Sequence, residues 1–94
     1  MAIDPKDPAE TYPIEFNFAA VLSSVTSATV TASVVGGVDE SPETVLSGDP
    51  QVTGAKVYQR VTGGLAGCIY KLRCEATDGT NIYAATDTLP VRVK

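Results

Sequence analysis

An all-β sandwich of about seven short strands is the fold this sequence predicts, and three observations predict it. The stretch from Gly63 to Gly79 (GGLAGCIYKLRCEATDG) puts Cys68, Tyr70, Leu72, Cys74 and Ala76 on one parity and Lys71, Arg73, Glu75 and Thr77 on the other. That is the period of two of a half-buried strand, here a central one. Turn residues recur about every 8–12 positions along the chain, the spacing of short antiparallel strands. Hydrophobic residues make up 44% of the sequence, yet much of that is Ala and Val and the aromatics are four Tyr and two Phe. Such a thin core suits two facing sheets.

Taken in order, residues 1–11 (MAIDPKDPAET) carry two Asp-Pro pairs, which favour extended backbone at Asp4 and Asp7 and remove two amide donors. An N-terminal arm is expected there, with a single domain over 12–94. Tyr12 to Phe18 places Tyr12, Ile14, Phe16 and Phe18 on one face, so it reads as a first strand with Pro13 near its start or on an edge. Ala19 to Ser27 loses the alternation, and Val21, Leu22 and Val25 are spaced for a helical turn that plugs one end of the sandwich. Ala28 to Val35 restores the alternation, with Val30, Ala32 and Val34 inward and Thr29, Thr31 and Ser33 outward.

Gly36 to Pro42 is turn chemistry, and the acids Asp39, Glu40 and Glu43 read as a solvated acidic loop. Short strands are expected at 44–47 and 51–53, separated by Gly48-Asp49-Pro50. In Lys56 to Thr62, Val57 and Val61 are expected inward and Tyr58 and Arg60 outward, with Gln59 interrupting the apolar face. The glycines Gly63, Gly64 and Gly67 feed the central strand and Asp78-Gly79 ends it, so that both sequence neighbours are expected to fold back against it. Strands at 81–86 and 89–93 close the domain; Pro90, lacking an amide hydrogen, points to an edge or a change of partner there. The count matches an immunoglobulin-like or fibronectin type III-like sandwich, with an incomplete barrel as the runner-up.

At 94 residues and net charge −4, with seven Lys and Arg scattered along the chain, nucleic acid is not an expected partner. No apolar run approaches the ~20 residues of a membrane span. Cys68 and Cys74 lie on one strand, roughly 20 Å apart, far beyond disulfide reach, so two free thiols are expected in the core. Without histidine, neither a Ser-His-Asp nor a Cys-His nucleophile can be assembled, and no metal-ligand spacing is present. The Gly63–Gly67 pattern lacks the Lys-Ser/Thr of a phosphate loop. No enzyme, cofactor or metal site is expected. Tyr70, early in the central strand, is placed for a tyrosine corner, with its ring over the core end and its hydroxyl on backbone. Tyr58, Arg60 and Tyr83 are the interface candidates within the domain, since Tyr and Arg are enriched at binding hot spots.

The order Lys6-Asp7-Pro8, Tyr12…Phe16-x-Phe18, Val21-Leu22, a Val-Thr-rich strand, Gly63-Gly64-x-x-Gly67-x-x-Tyr70-x-Leu72 and Leu89-x-Val91-x-Val93 resembles small immunoglobulin-like virion proteins of tailed bacteriophages, of the fibre-tail adaptor or minor head-tail type. The resemblance covers residues 6–93. It implies a non-enzymatic structural protein of the virion, made in the host cytoplasm and present in multiple symmetric copies. It implies partners among the tail, neck, fibre or capsid proteins and adds Lys6, Asp7 and Pro8 of the arm to the interface candidates. A capsid decoration protein is the alternative within that class, separable by copy number; a carbohydrate-binding or adhesion module is the alternative outside it.

Overall fold

The computed structural model describes residues 4–94. Six strands follow one another: β1 Tyr12–Asn17, β2 Ser27–Gly36, β3 Leu46–Thr53, β4 Lys56–Val61, β5 Ile69–Thr77 and β6 Ile82–Pro90, with a single 3-10 turn, Pro42–Val45, before β3. They form two three-stranded antiparallel sheets in the orders β1-β4-β3 and β2-β5-β6. Six strands stand where about seven were expected, because the segments at 44–47 and 51–53 join in one strand and those at 81–86 and 89–93 in another. β3 runs on through Gly48-Asp49-Pro50 with a register shift between Ser47 and Gln51, and β6 runs from Ile82 to Pro90 without interruption. Residues 42–45 are helical turn, not strand.

The central strand is where the alternation put it. Tyr70, Leu72, Cys74 and Ala76 are fully buried, and Cys68, the residue before β5, is nearly so. β5 lies between β2 and β6. Its other sequence neighbour, β4, belongs to the opposite sheet, so the Gly63–Gly67 segment is a crossing between sheets where a hairpin was expected. Asp78-Gly79 does close the β5–β6 hairpin: Asp78 Oδ1 accepts the amides of Thr80 and Asn81, and Gly79 takes φ +97°.

The two sheets bury one cluster. Ile14 and Phe16 of β1, Val57 and Val61 of β4, Val30 of β2, the inward residues of β5 and Leu89 of β6 pack together, with Phe18, Leu22 and Val25 covering one end. The expected plug is a single turn, in which Phe18 O accepts the amides of both Val21 and Leu22. Leu22 and Val25 are buried, whereas Val21 is half exposed and does not share in the plug. Both cysteines are free and buried, as their spacing required.

Of residues 1–11, Met1 to Ile3 lie outside the described residues. Lys6 forms a parallel bridge with Val91; its amide donates to Pro90 O and its carbonyl accepts from Arg92 N, each at 2.9 Å. Pairing toward β5 continues past Pro90, with Val91 N donating to Cys68 O and Val91 O accepting from Gly67 N, so Lys6 adds a second partner on the other edge and the expected change of partner does not occur.

Candidate functional site

Tyr58 and Arg60 stand outward from β4, as parity required, because Val57, Gln59 and Val61 turn inward and are buried. The strand pairing sets their neighbours. Arg60 lies between Pro13 of β1 and Ser47 of β3, and Tyr58 lies between Glu15 and Gln51. Between Ser47 and Gln51, the three residues Gly48, Asp49 and Pro50 face Gln59 alone. A bulge of this kind bends a strand and re-aims what it carries. Here it opens a groove of about 520 Å³ lined by Pro13, Ser47, Gly48, Asp49, Gln51, Tyr58 and Arg60.

Gln59 holds the bulge from the core side. It is 1% exposed, and its Nε2 donates to Arg60 O at 2.9 Å, Gly48 O at 3.2 Å and Ser47 O at 3.4 Å. All three neighbours are carbonyls, so only the amide nitrogen can face them, with its two hydrogens shared among three acceptors. Gly48, at φ +72°, supplies the left-handed backbone that the bulge needs. The residue that seemed to interrupt an apolar face is thus the internal brace of the groove.

The groove combines flat apolar surface from Tyr58 and Pro13 with charge from Arg60 and Asp49. No ion pair within the described residues engages Arg60, whereas its neighbour on the same sheet face, Lys56, pairs with Glu15 at 3.5 Å. A partly exposed Tyr beside an Arg with no ion pair among the described residues suits recognition of a partner surface, since both residue types are enriched at binding hot spots and the Tyr ring gives a large contact area at low entropic cost.

The remaining sequence candidates lie elsewhere. Tyr83 is 39% exposed on β6, in the other sheet. Lys6 is fully buried; its Nζ donates to Gly63 O at 2.7 Å and Asp7 O at 3.0 Å, and desolvation lowers its pKa against the pull of Glu10 and Asp7. Asp7 accepts the amides of Ala9 and Lys94, which holds its carboxyl below the usual range. Pro8 sits in the turn that Glu10 N closes onto Asp7 O. Lys94 pairs with Glu10 at 3.0 Å. These residues clasp the two chain ends together and stand apart from the Tyr58–Arg60 groove.

Tyr70 is the tyrosine corner that its position suggested. Its ring is fully buried and its hydroxyl accepts the Leu65 amide at 2.9 Å. It also donates to Asp39 Oδ2 at 2.6 Å, so Asp39 is a bonded anchor rather than a free member of a solvated acidic loop. Sequence reasoning missed both Asp39 and Gln59. Gln59 had a signal: a polar residue on an apolar parity directly opposite a Gly-Asp-Pro break.

The fold is a small all-β module of two facing sheets, with the Tyr58–Arg60 groove on the outer face of one of them. A family model described as podophage GP4 fiber-tail adaptor protein gp77 matches residues 6–89. The chain belongs to this family. A search of curated proteins and a search of solved structures each found no match.

Proposed function

We propose that this chain is a non-enzymatic adaptor in the podophage virion, seating fibres on the tail through the outer face of the β1-β4-β3 sheet. The observation that carries the reading is the juxtaposition of Tyr58 and Arg60 in the bulge-built groove, in a chain of a fibre-tail adaptor family. Its partners are other virion proteins, and it acts in multiple copies, so that modest contacts at each site add by avidity. We read the sandwich as immunoglobulin-like. The orders β1-β4-β3 and β2-β5-β6 run parallel to strands B-E-D and C-F-G of that fold, and Tyr70 stands near the start of the strand that would be F. The segment 1–11 belongs to the same reading as an arm, of which Lys6 to Glu10 are tied to the segment from Pro90 to Lys94.

The test is a phage carrying Tyr58→Ala and Arg60→Ala together. Both side chains point out of the fold, so the purified variant is expected to keep the wild-type melting temperature. Particles are expected to retain their tails and lose fibres. Unchanged fibre occupancy in imaged particles would overturn the assignment of this face.

A further inference from the structure

Four strands form the edges of the two sheets: β1 and β3 of one, β2 and β6 of the other. Exposed edges are templates for further strands unless something blunts them. β1 carries Pro13 and Glu15, β3 carries Asp49, Pro50 and the bulge, and β6 carries Asp87 and Pro90. β2, ten residues from Ser27 to Gly36, holds neither a charge nor a proline. The 3-10 turn and β3 approach it from the side, but among the described residues every backbone hydrogen bond of β2 goes to β5. Its inward-facing Ala28, Ala32 and Val34 stay partly exposed, because no strand lies beyond them in the sheet.

The sequence of β2 specifies what fits that edge. Ser27-Ala28-Thr29-Val30-Thr31-Ala32-Ser33 reads identically in both directions about Val30. An isologous two-fold contact places residue i against j and j against i. An antiparallel copy with Val30 at the axis sets Val against Val, each Thr29 against Thr31, each Ala28 against Ala32 and each Ser27 against Ser33. Inward residues meet inward residues, so both cores stay on their own side. The outward pairs are Thr–Thr and Ser–Ser, which favour sheet pairing, and no charge is desolvated.

We propose that β2 is a self-pairing edge, through which two copies of this chain join antiparallel about Val30 into one six-stranded sheet. This goes beyond the adaptor reading and does not depend on it. The seven paired residues from Ser27 to Ser33, at about 3.3 Å each, give a contact roughly 23 Å long. A single strand pair covers less than the ~800 Å² per partner of a stable interface. The dimer is therefore weak in free solution and forms where copies are concentrated in an assembly.

Sedimentation velocity of the full chain from micromolar to millimolar concentration tests it, with the wild type expected to pass from monomer to dimer and stop there. Thr29→Lys with Thr31→Lys sets like charges opposite each other twice and is expected to weaken association by about tenfold or more. Thr29→Lys with Thr31→Glu sets unlike charges opposite and is expected to associate at least as well as the wild type. That second variant is also compatible with the monomer, where positions 29 and 31 lie across from Glu75 and Arg73. A wild type still monomeric at millimolar concentration, growth beyond the dimer, or equal association by the two variants overturns the proposal.

Discussion

Tyr70 Oη lies 2.6 Å from Asp39 Oδ2 and 2.9 Å from the amide nitrogen of Leu65, donating to the first and accepting from the second. One buried hydroxyl thereby fixes two loops, the segment after β2 and the crossing between β4 and β5. The Asp39 carboxylate is fixed in turn by the Ser41 amide at 2.9 Å. Burial, with the hydrogen bond to Asp39 second, pushes Tyr70 up to about 12. The Tyr70 hydroxyl, with the Ser41 amide second, holds Asp39 below the usual carboxylate range.

Replacing Tyr70 with Phe keeps the ring and leaves the Leu65 amide and the Asp39 carboxylate without their shared partner. The expected loss is about 1–3 kcal/mol of folding stability, read as a lower urea midpoint at unchanged slope. An undiminished midpoint would show that water replaces the hydroxyl without penalty.

The pH profile carries the same relationship with a definite sign. Asp39, Asp7, Glu10 and Asp78 all titrate lower in the fold than in an unfolded chain. Their contribution is present above the ordinary carboxylate range and is lost as pH falls through their folded values. Tyr70 is raised, so its contribution is complete below the ordinary tyrosine value and is lost as pH climbs toward about 12. The melting temperature is expected to form a plateau between these windows. In Tyr70→Phe the alkaline fall should shrink and the acid fall should flatten, because Asp39 loses the largest cause of its shift.

The two thiols are expected to be inert in the native state. Cys74 is fully buried, and burial, with a smaller effect from Glu75, pushes it up to about 11, so at pH 8 only about one thiol in a thousand is ionised. Cys68 is buried with its Sγ 3.5 Å from Val38 O. Gly37, at φ +80°, packs so closely that an added Cβ would stand 2.8 Å from that sulfur. Ellman's reagent at pH 8 is expected to label neither residue in native buffer and both in denaturant. Rapid native labelling of either would show that this end of the core opens.

Much of the fold was legible because its signals are local. The alternation Tyr70, Leu72, Cys74, Ala76 is a backbone period, and the Asp78-Gly79 turn is chemistry within a few residues. What escaped depends on residues distant in sequence. Gly48-Asp49-Pro50 marks a strand end in isolation; only pairing with β4, and the reach of Gln59 across it, makes it a bulge within one strand. Lys6 reads as part of a charged arm, yet Gly63 O, 57 positions away, gives its ammonium a buried acceptor. In the candidate site, parity alone exposed Tyr58 and Arg60, whereas Pro13, Ser47 and Gln51 joined them through strand register.

Gln59 offers a direct test of the bulge. In Gln59→Leu the size is nearly kept, but Ser47 O, Gly48 O and Arg60 O lose their common donor. A stability loss of about 1–3 kcal/mol is expected. Gln59→Glu is expected to be worse, because it turns a carboxylate toward three carbonyls in a buried site. The informative readout is a crystal structure of Gln59→Leu with the groove beside Tyr58 reshaped. An intact groove would show that Gly48 and Pro50 alone dictate the bulge.

Lys6 joins backbone pairing to side-chain anchoring at the place where the chain ends meet. Its amide and carbonyl bond Pro90 and Arg92, and its ammonium is sunk onto Gly63 O. Lys6→Met keeps the stem that packs there and removes the donor, for an expected loss of about 1–3 kcal/mol. Lys6→Ala also removes the packing and is expected to lose more. Because burial lowers the lysine, the unfolded chain binds the extra proton just below the ordinary lysine range, and this group favours the fold more as pH rises through that window. Lys6→Met should remove that rise. Hydrogen exchange locates the effect: the Arg92 amide, protected by Lys6 O, is expected to exchange faster in both variants, while amides of β5 slow or quicken only with global stability. Equal acceleration at Arg92 and in β5 would mean that the clasp opens only when the whole domain unfolds.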